Sequence, residues 1–157
     1  VPGVALLAGH VIASLLRNVV STVLVGAVAF AIGFRPHASV AGFAAAFGVL
    51  LLFVAAVSWL AAAFGLLVSA PEAANSAMFF LMFFSYASSA FVPVRTMPSW
   101  LRGFARHQPA TPVTETIRGL LLGQPGGLPL VTALAWSAGI LVVSVAVSGL
   151  LFRRQTA

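Results

Sequence analysis

Few side chains in this sequence are equipped for chemistry. It contains two carboxylates, Glu72 and Glu115, three histidines, His10, His37 and His107, and eight arginines, with no cysteine, lysine or aspartate. A Ser-His-Asp triad cannot be assembled without aspartate. Thiolate nucleophiles, zinc–thiolate sites and disulfides are excluded by the missing cysteine. No GxSxG, HExxH or P-loop pattern occurs. The histidines are far apart and each stands near the edge of an apolar segment, where an interfacial polar side chain is the ordinary role. No catalytic residue, bound cofactor or metal ligand is therefore expected on this chain, and any ATP hydrolysis belongs to a separate one.

Three constellations remain. Glu115 and Arg118 stand three apart, close enough to pair on one helix face, and an ionisable pair at membrane depth is a functional candidate by default. The competing role is an interfacial ion pair that only steadies its helix. His10, Ser14, Arg17 and Ser21 share a helix face, which suits a partner or a polar pathway, or else a stripe from which Arg17 snorkels to the headgroups. Further along, Phe79, Phe80, Phe83, Phe84 and Tyr86 adjoin Asn75, Met78, Met82, Ser85 and Ser89. Such a surface can hold an aromatic or amphiphilic substrate. Phenylalanines also serve simply as lipid contacts, and Asn75 and the serines as hydrogen bonds between helices.

The elements that must carry these groups follow from hydropathy. The 157 residues are 61% hydrophobic and 6% charged, against about 25% charged in an ordinary soluble domain. A water-soluble globule could not cover its surface with so few charges, and disorder is excluded by the same apolar content. The formal charge of +6 does not imply nucleic acid, because the arginines are scattered at segment ends rather than gathered on a face. Residues 18–34, 36–71, 73–94 and 119–152 carry no Asp, Glu, Lys or Arg. A hydrocarbon core about 30 Å thick takes roughly 20 helical residues, and one arginine at a helix centre would cost about 2.5–3.5 kcal/mol. Four transmembrane helices are expected, at 17–34, 40–68, 73–93 and 129–151, in one all-α membrane domain. The first borrows part of its length from its amphipathic lead-in.

The connections agree with that count. Gly33-Phe34-Arg35-Pro36-His37 breaks the first helix from the second, Ser69-Ala70-Pro71-Glu72 supplies a short turn and a helix start, and Gln124-Pro125-Gly126-Gly127 breaks again. Residues 93–123 differ from the rest: four arginines, four prolines and Glu115 lie among Leu, Phe and Trp. This stretch is too polar to span and too apolar to float free, so short interfacial or re-entrant helices are expected at 94–123. Four spans put Arg17, Arg153 and Arg154 on one side and Arg35, Arg95, Arg102, Arg106 and Arg118 on the other. A positive-inside count alone would place the latter set in the cytoplasm.

Three motifs then carry a resemblance. They are Ser88-Ser89-Ala90-Phe91-Val92-Pro93-Val94-Arg95-Thr96-Met97-Pro98-Ser99-Trp100-Leu101, Gln108-Pro109-Ala110-Thr111, and Glu115-Thr116-Ile117-Arg118-Gly119 through Gly123. Together they resemble the C-terminal signature of ABC-2 type permeases, especially the daunorubicin-resistance-like drug and lipid exporters. Pro71-Glu72-Ala73-Ala74-Asn75 is similar to that family's loop between its fourth and fifth spans. The resemblance implies that the chain holds the third to sixth of six spans, with both ends cytoplasmic and 94–123 external, which reverses the charge-count orientation. It implies a cytoplasmic-membrane permease that passes a hydrophobic drug or lipid outward. The partners would be a second permease copy and an ABC ATPase that binds the ATP. Glu115, Arg118, Pro98 and Trp100 would form the external gate. Phe79, Phe83, Tyr86 and Asn75 would meet substrate or a neighbouring helix, and Pro2, Gly3 and His10 would lie at the ATPase-coupling end. Three positions depart from the pattern: His10 stands where an arginine is expected, Gly3 lies in an often basic region, and Gln108 replaces a common asparagine. A polysaccharide or glycolipid exporter of the same family is the nearest alternative, followed by a non-transporting multi-pass assembly subunit, which would have no need of the Met97-Pro98-Ser99-Trp100 motif.

Overall fold

The computed structural model describes residues 3–67, 90–124 and 127–155, together with Asn75, Ser76, Phe79, Phe80, Met82, Phe83 and Tyr86. All regular structure among the described residues is helical. The elements are α1 (Gly3–Ala31), α2 (Val40–Leu67), a single 3₁₀ turn (Val94–Thr96), α3 (Ser99–His107), α4 (Ala110–Leu121) and α5 (Gly127–Gln155). Three of these include stretches long and apolar enough to cross a membrane: Ala5–Ala31, Val40–Leu67 and Pro129–Leu151. About half of the further span expected at 73–93 falls outside the described residues. So do the Pro71-Glu72 turn and the Pro125-Gly126 break.

The first boundary differs from the expectation. The lead-in and the span are one helix that begins at Gly3 and ends at Ala31, not a span from 17 to 34. No proline interrupts residues 3–31, and Ala, Leu and Val carry the helix through the lone Arg17. Its end is set by Gly33, whose φ of +100° belongs to glycine. Gly33 N–H donates to Phe30 O at 3.1 Å and Phe34 N–H to Ala29 O at 2.9 Å, the paired bonds of a Schellman cap. Ser39 then opens α2, its Oγ accepting from Gly42 N–H at 3.1 Å. Phe30 stacks on Phe43 with ring centroids 6.2 Å apart, which ties the end of α1 to the start of α2.

A second cap of the same kind closes α4. Gly123, at φ +74°, donates to Leu120 O at 3.2 Å, and Gln124 N–H donates to Gly119 O at 2.9 Å. The two caps meet in space. A Cβ on Gly123 would stand 2.9 Å from His37 O, so the α1–α2 loop lies directly against the end of α4. Deeper in, Val49 of α2, Val113 of α4 and Ala133 of α5 form one buried cluster, flanked by Phe53, Ile117 and Leu130. These contacts set the directions: α2 and α5 both run away from the loop end, α1 runs towards it, and α4 climbs towards it alongside α2. The chain thus leaves α2 at the end opposite to the one where α4 finishes.

The most extensive packing joins α2 and α5. The buried positions are Ala46, Val49, Ala56 and Ala63 on α2 and Ala133, Ser137, Ser144 and Ser148 on α5. Each set falls in a narrow helical stripe, and small side chains let helix backbones approach closely where lipid removes the hydrophobic drive between helices. The outward faces show the reverse pattern. Leu6, Ile12, Leu16, Val20, Leu24 and Val28 on α1, and Val131, Val142, Val143 and Leu150 on α5, are exposed. Only 6% of the most apolar window of α1 is buried by the rest of the chain, a surface that hydrocarbon tolerates and water does not. The protein is a multi-pass membrane protein.

Two substitutions test this packing. Ser144→Ala keeps the close approach and is expected to leave thermal stability in detergent unchanged. Ser144→Leu overfills the seam and should cost about 1–3 kcal/mol, read as a lowered unfolding midpoint.

Candidate functional site

The motif residues of 93–107 build a small folded unit. The 3₁₀ turn is held by Thr96, whose N–H and Oγ1 both donate to Pro93 O, at 2.9 Å and 2.8 Å. Met97 follows and is 5% exposed, packed with Val94, Ala105 and the partly buried Leu101. Pro98 has the extended backbone of a cap residue. Its carbonyl accepts from Leu101 N–H at 3.0 Å and Arg102 N–H at 2.9 Å, which starts α3. Arg102 then reaches back, its guanidinium donating to Arg95 O at 3.2 Å and Met97 O at 3.1 Å. These carbonyls belong to an irregular turn and have no helix partner, so one arginine holds two strong acceptors.

The fixed positions of the motif thus divide the folding of this unit among them. Met97 is the buried plug, Pro98 the helix start and Leu101 the packing partner. Arg102, which sequence reasoning did not single out, is the clamp. The only hint was its position one helical turn after Pro98. Trp100 is a different case. It points away from the cluster and is 76% exposed.

Beyond α3 the chain turns at Gln108-Pro109 and enters α4. Gln108 is buried and its Nε2 donates to Thr111 Oγ1 at 3.4 Å. Thr111, Pro112, Val113 and Thr116 form the buried face of α4. Glu115 and Arg118 are exposed at the edge of this face. Beside them Phe34, Thr114, Ile117, Arg118, Leu121 and Leu122 line a cavity of about 320 Å³. Of the four gate candidates, Glu115 and Arg118 share one face of α4, whereas Pro98 and Trp100 belong to the α3 unit.

The remaining candidates are dispersed. Asn75, Phe79, Phe83 and Tyr86 are exposed, and Tyr86 stacks on Phe91 with centroids 5.4 Å apart. Met78, Phe84, Ser85 and Ser89 of that stripe lie outside the described residues, as does Pro2. Gly3 opens α1 and His10 is exposed on it. The His10 stripe is split by the packing: Ser14 Oγ meets Ser58 Oγ of α2 at 3.1 Å, while His10, Arg17 and Ser21 stay exposed. Arg17 lies about 21 Å along the helix axis from Ala31, so in a hydrocarbon core about 30 Å thick its long side chain has only the opposite headgroup layer within reach. Among the described residues no group of His, Cys, Asp and Glu is arranged to hold a metal ion.

The family described as ABC-2 type transporter matches residues 2–122. The chain belongs to the ABC-2 type transporter family. Over 154 residues, 98% of its length, it is 30% identical to the daunorubicin resistance ABC transporter permease protein DrrB1 of Streptomyces coeruleorubidus, of which it covers 54%. It is 32% identical over 71 residues to the probable doxorubicin resistance ABC transporter permease protein DrrC of Mycobacterium tuberculosis, covering 45% of this chain and 26% of that protein. The chain therefore spans about half or less of the length of these curated relatives. No solved structure matches it. Within this ABC-2 chain the family match ends at the α4 cap, so it takes in α1, α2 and the whole Met97–Arg102 unit.

The clamp can be tested directly. Met97→Ala removes the plug and should destabilise the unit by about 2 kcal/mol or more. Arg102→Ala should expose the 93–107 turn to limited proteolysis while the long helices keep their far-ultraviolet circular dichroism. Equal protease resistance in both variants and the parent would overturn this account.

Proposed function

We propose that this chain is the membrane-embedded part of an ABC exporter that moves a hydrophobic or amphiphilic molecule outward, driven by ATP hydrolysis on a separate subunit. One observation carries the proposal: nearly the whole chain aligns with a drug-resistance permease, and the aligned residues form apolar spanning helices with a capped polar unit at one end. In this reading it contributes four spans of the full-length permease, including one within 73–93. Both of its ends face the cytoplasm, and 94–123 folds back within the outer leaflet. Its membrane is the cytoplasmic membrane.

The direction of α4 supports the re-entrant arrangement. Its first turn lies level with Val49 and Phe53 of α2, well below the loop end, and it climbs back to His37. Irregular backbone at such depth is tolerated only where protein buries it, and Gln108 and Thr111 at that turn are buried. Two permease copies would pack together and dock two ATPase chains through the end bearing Pro2, Gly3 and His10. Nucleotide-driven movement there would bias the helix interfaces between two packings. Glu115 and Arg118, with Pro98 and Trp100 of the neighbouring unit, would hold the outer mouth, and Phe79, Phe83, Tyr86 and Asn75 would face substrate or the second copy.

Co-expression of the full-length permease with the ATPase encoded beside it should yield a complex that survives detergent purification on a tag placed on the permease. Glu115→Ala is expected to lower outward transport by about tenfold, the size of one lost charge-assisted contact, at unchanged membrane abundance. Failure to retain the ATPase would sink the exporter reading, and undiminished transport would remove Glu115 from the gate.

A further inference from the structure

We infer that the cavity between α4 and the α1–α2 loop is a binding site for an anionic membrane phospholipid, with Arg118 holding the phosphate and the apolar walls holding the upper acyl chain. The site is built from two elements. Thr114, Ile117, Arg118 and Leu121 follow one another at helical spacing along the outward side of α4, Leu122 continues the wall, and Phe34 closes it from the loop. The volume of about 320 Å³ lies at the small end of ligand pockets, which run from roughly 300 to 1,000 Å³. That suits part of one chain and a headgroup rather than a whole drug-sized molecule.

Charge and depth select the occupant. Thr114 spends its hydroxyl on its own helix, donating to Ala110 O at 2.8 Å, so it offers the cavity mainly its methyl group. Arg118 is then the cationic group of an otherwise apolar lining, and Arg35 follows Phe34 directly in the loop above it. A guanidinium presents a planar fork of donors that matches phosphate. The wall runs along α4 from Thr114 to Leu122, about 12 Å of helix rise, ending beside the caps of α1 and α4. Because α4 runs alongside α2, this direction is that of the spanning helices. The cavity therefore descends from the border of the bilayer into its upper hydrocarbon, the path of a lipid tail below its headgroup. At that border the phosphate of lipid headgroups is the anion at hand for a guanidinium.

Lipid binding here rests on the placement of α4 within the bilayer proposed above but not on transport, and its test uses neither nucleotide nor substrate. The full-length permease is reconstituted in nanodiscs of equal parts phosphatidylcholine and phosphatidylglycerol, released, and weighed by native mass spectrometry with its retained lipids. The parent should keep phosphatidylglycerol in preference to phosphatidylcholine by about tenfold. Arg118→Gln should erase the preference, Arg118→Lys should keep most of it, and Leu121→Trp, which fills the cavity with an apolar ring, should lose the lipid altogether. Matching elution and circular dichroism establish that each variant is folded. Equal retention by all four proteins overturns the site, and so does displacement of the lipid by glycerol phosphate, because the acyl chain would then be irrelevant. Leu122→Cys copies that join efficiently through a disulfide would overturn it as well, by placing a second copy over the same face.

Discussion

A peptide group in hydrocarbon must find its hydrogen-bond partner within the protein, and this constraint organises everything described above. Long uninterrupted helices satisfy it internally. The difficulty lies at the reversals, and among the described residues specific devices meet it: the glycine caps at Gly33 and Gly123, the Ser39 hydroxyl on Gly42 N–H, and the Arg102 guanidinium on the carbonyls of Arg95 and Met97. The polar content of the chain is small, and much of it is stationed where helices stop.

A second consequence concerns how the helices associate. Lipid tails are as apolar as leucine, so apolar side chains alone give no drive for helix to meet helix. The α2–α5 contact instead relies on small residues, alanines on one side and alanine and serines on the other. Below the loop end the same two helices hold α4 against them through Val49, Val113 and Ala133, and the α4 cap leans on the His37 carbonyl. The loop that joins α1 to α2 thus also touches the end of α4.

The functional character of the chain follows from what its side chains can do. Its polar side chains hold caps, turns and helix contacts: Ser39 on Gly42, Thr96 on Pro93, Arg102 on Arg95 and Met97, and Ser14 on Ser58. Membership of the ABC-2 type transporter family fits that character. In the conspicuous motif of residues 93–107, Met97, Pro98 and Leu101 fold the unit and Trp100 lies on its exterior.

From the residues alone one could read the membrane class, the helical content, the chain reversal at Gly33 and the distinct nature of 93–123, because hydropathy and helix punctuation are local properties. The family was legible too, through Met97-Pro98-Ser99-Trp100 and Glu115-Thr116-Ile117-Arg118. The true start of α1 was not, since an amphipathic lead-in and a spanning helix share the same backbone bonds and no local signal separates them. Nor was the pairing of Ser14 with Ser58, the clamp made by Arg102 or the approach of Gly123 to His37. Each of these joins groups through the relative placement of elements, and that placement is decided by which helix faces fit together, a property of the packed chain that no single segment carries.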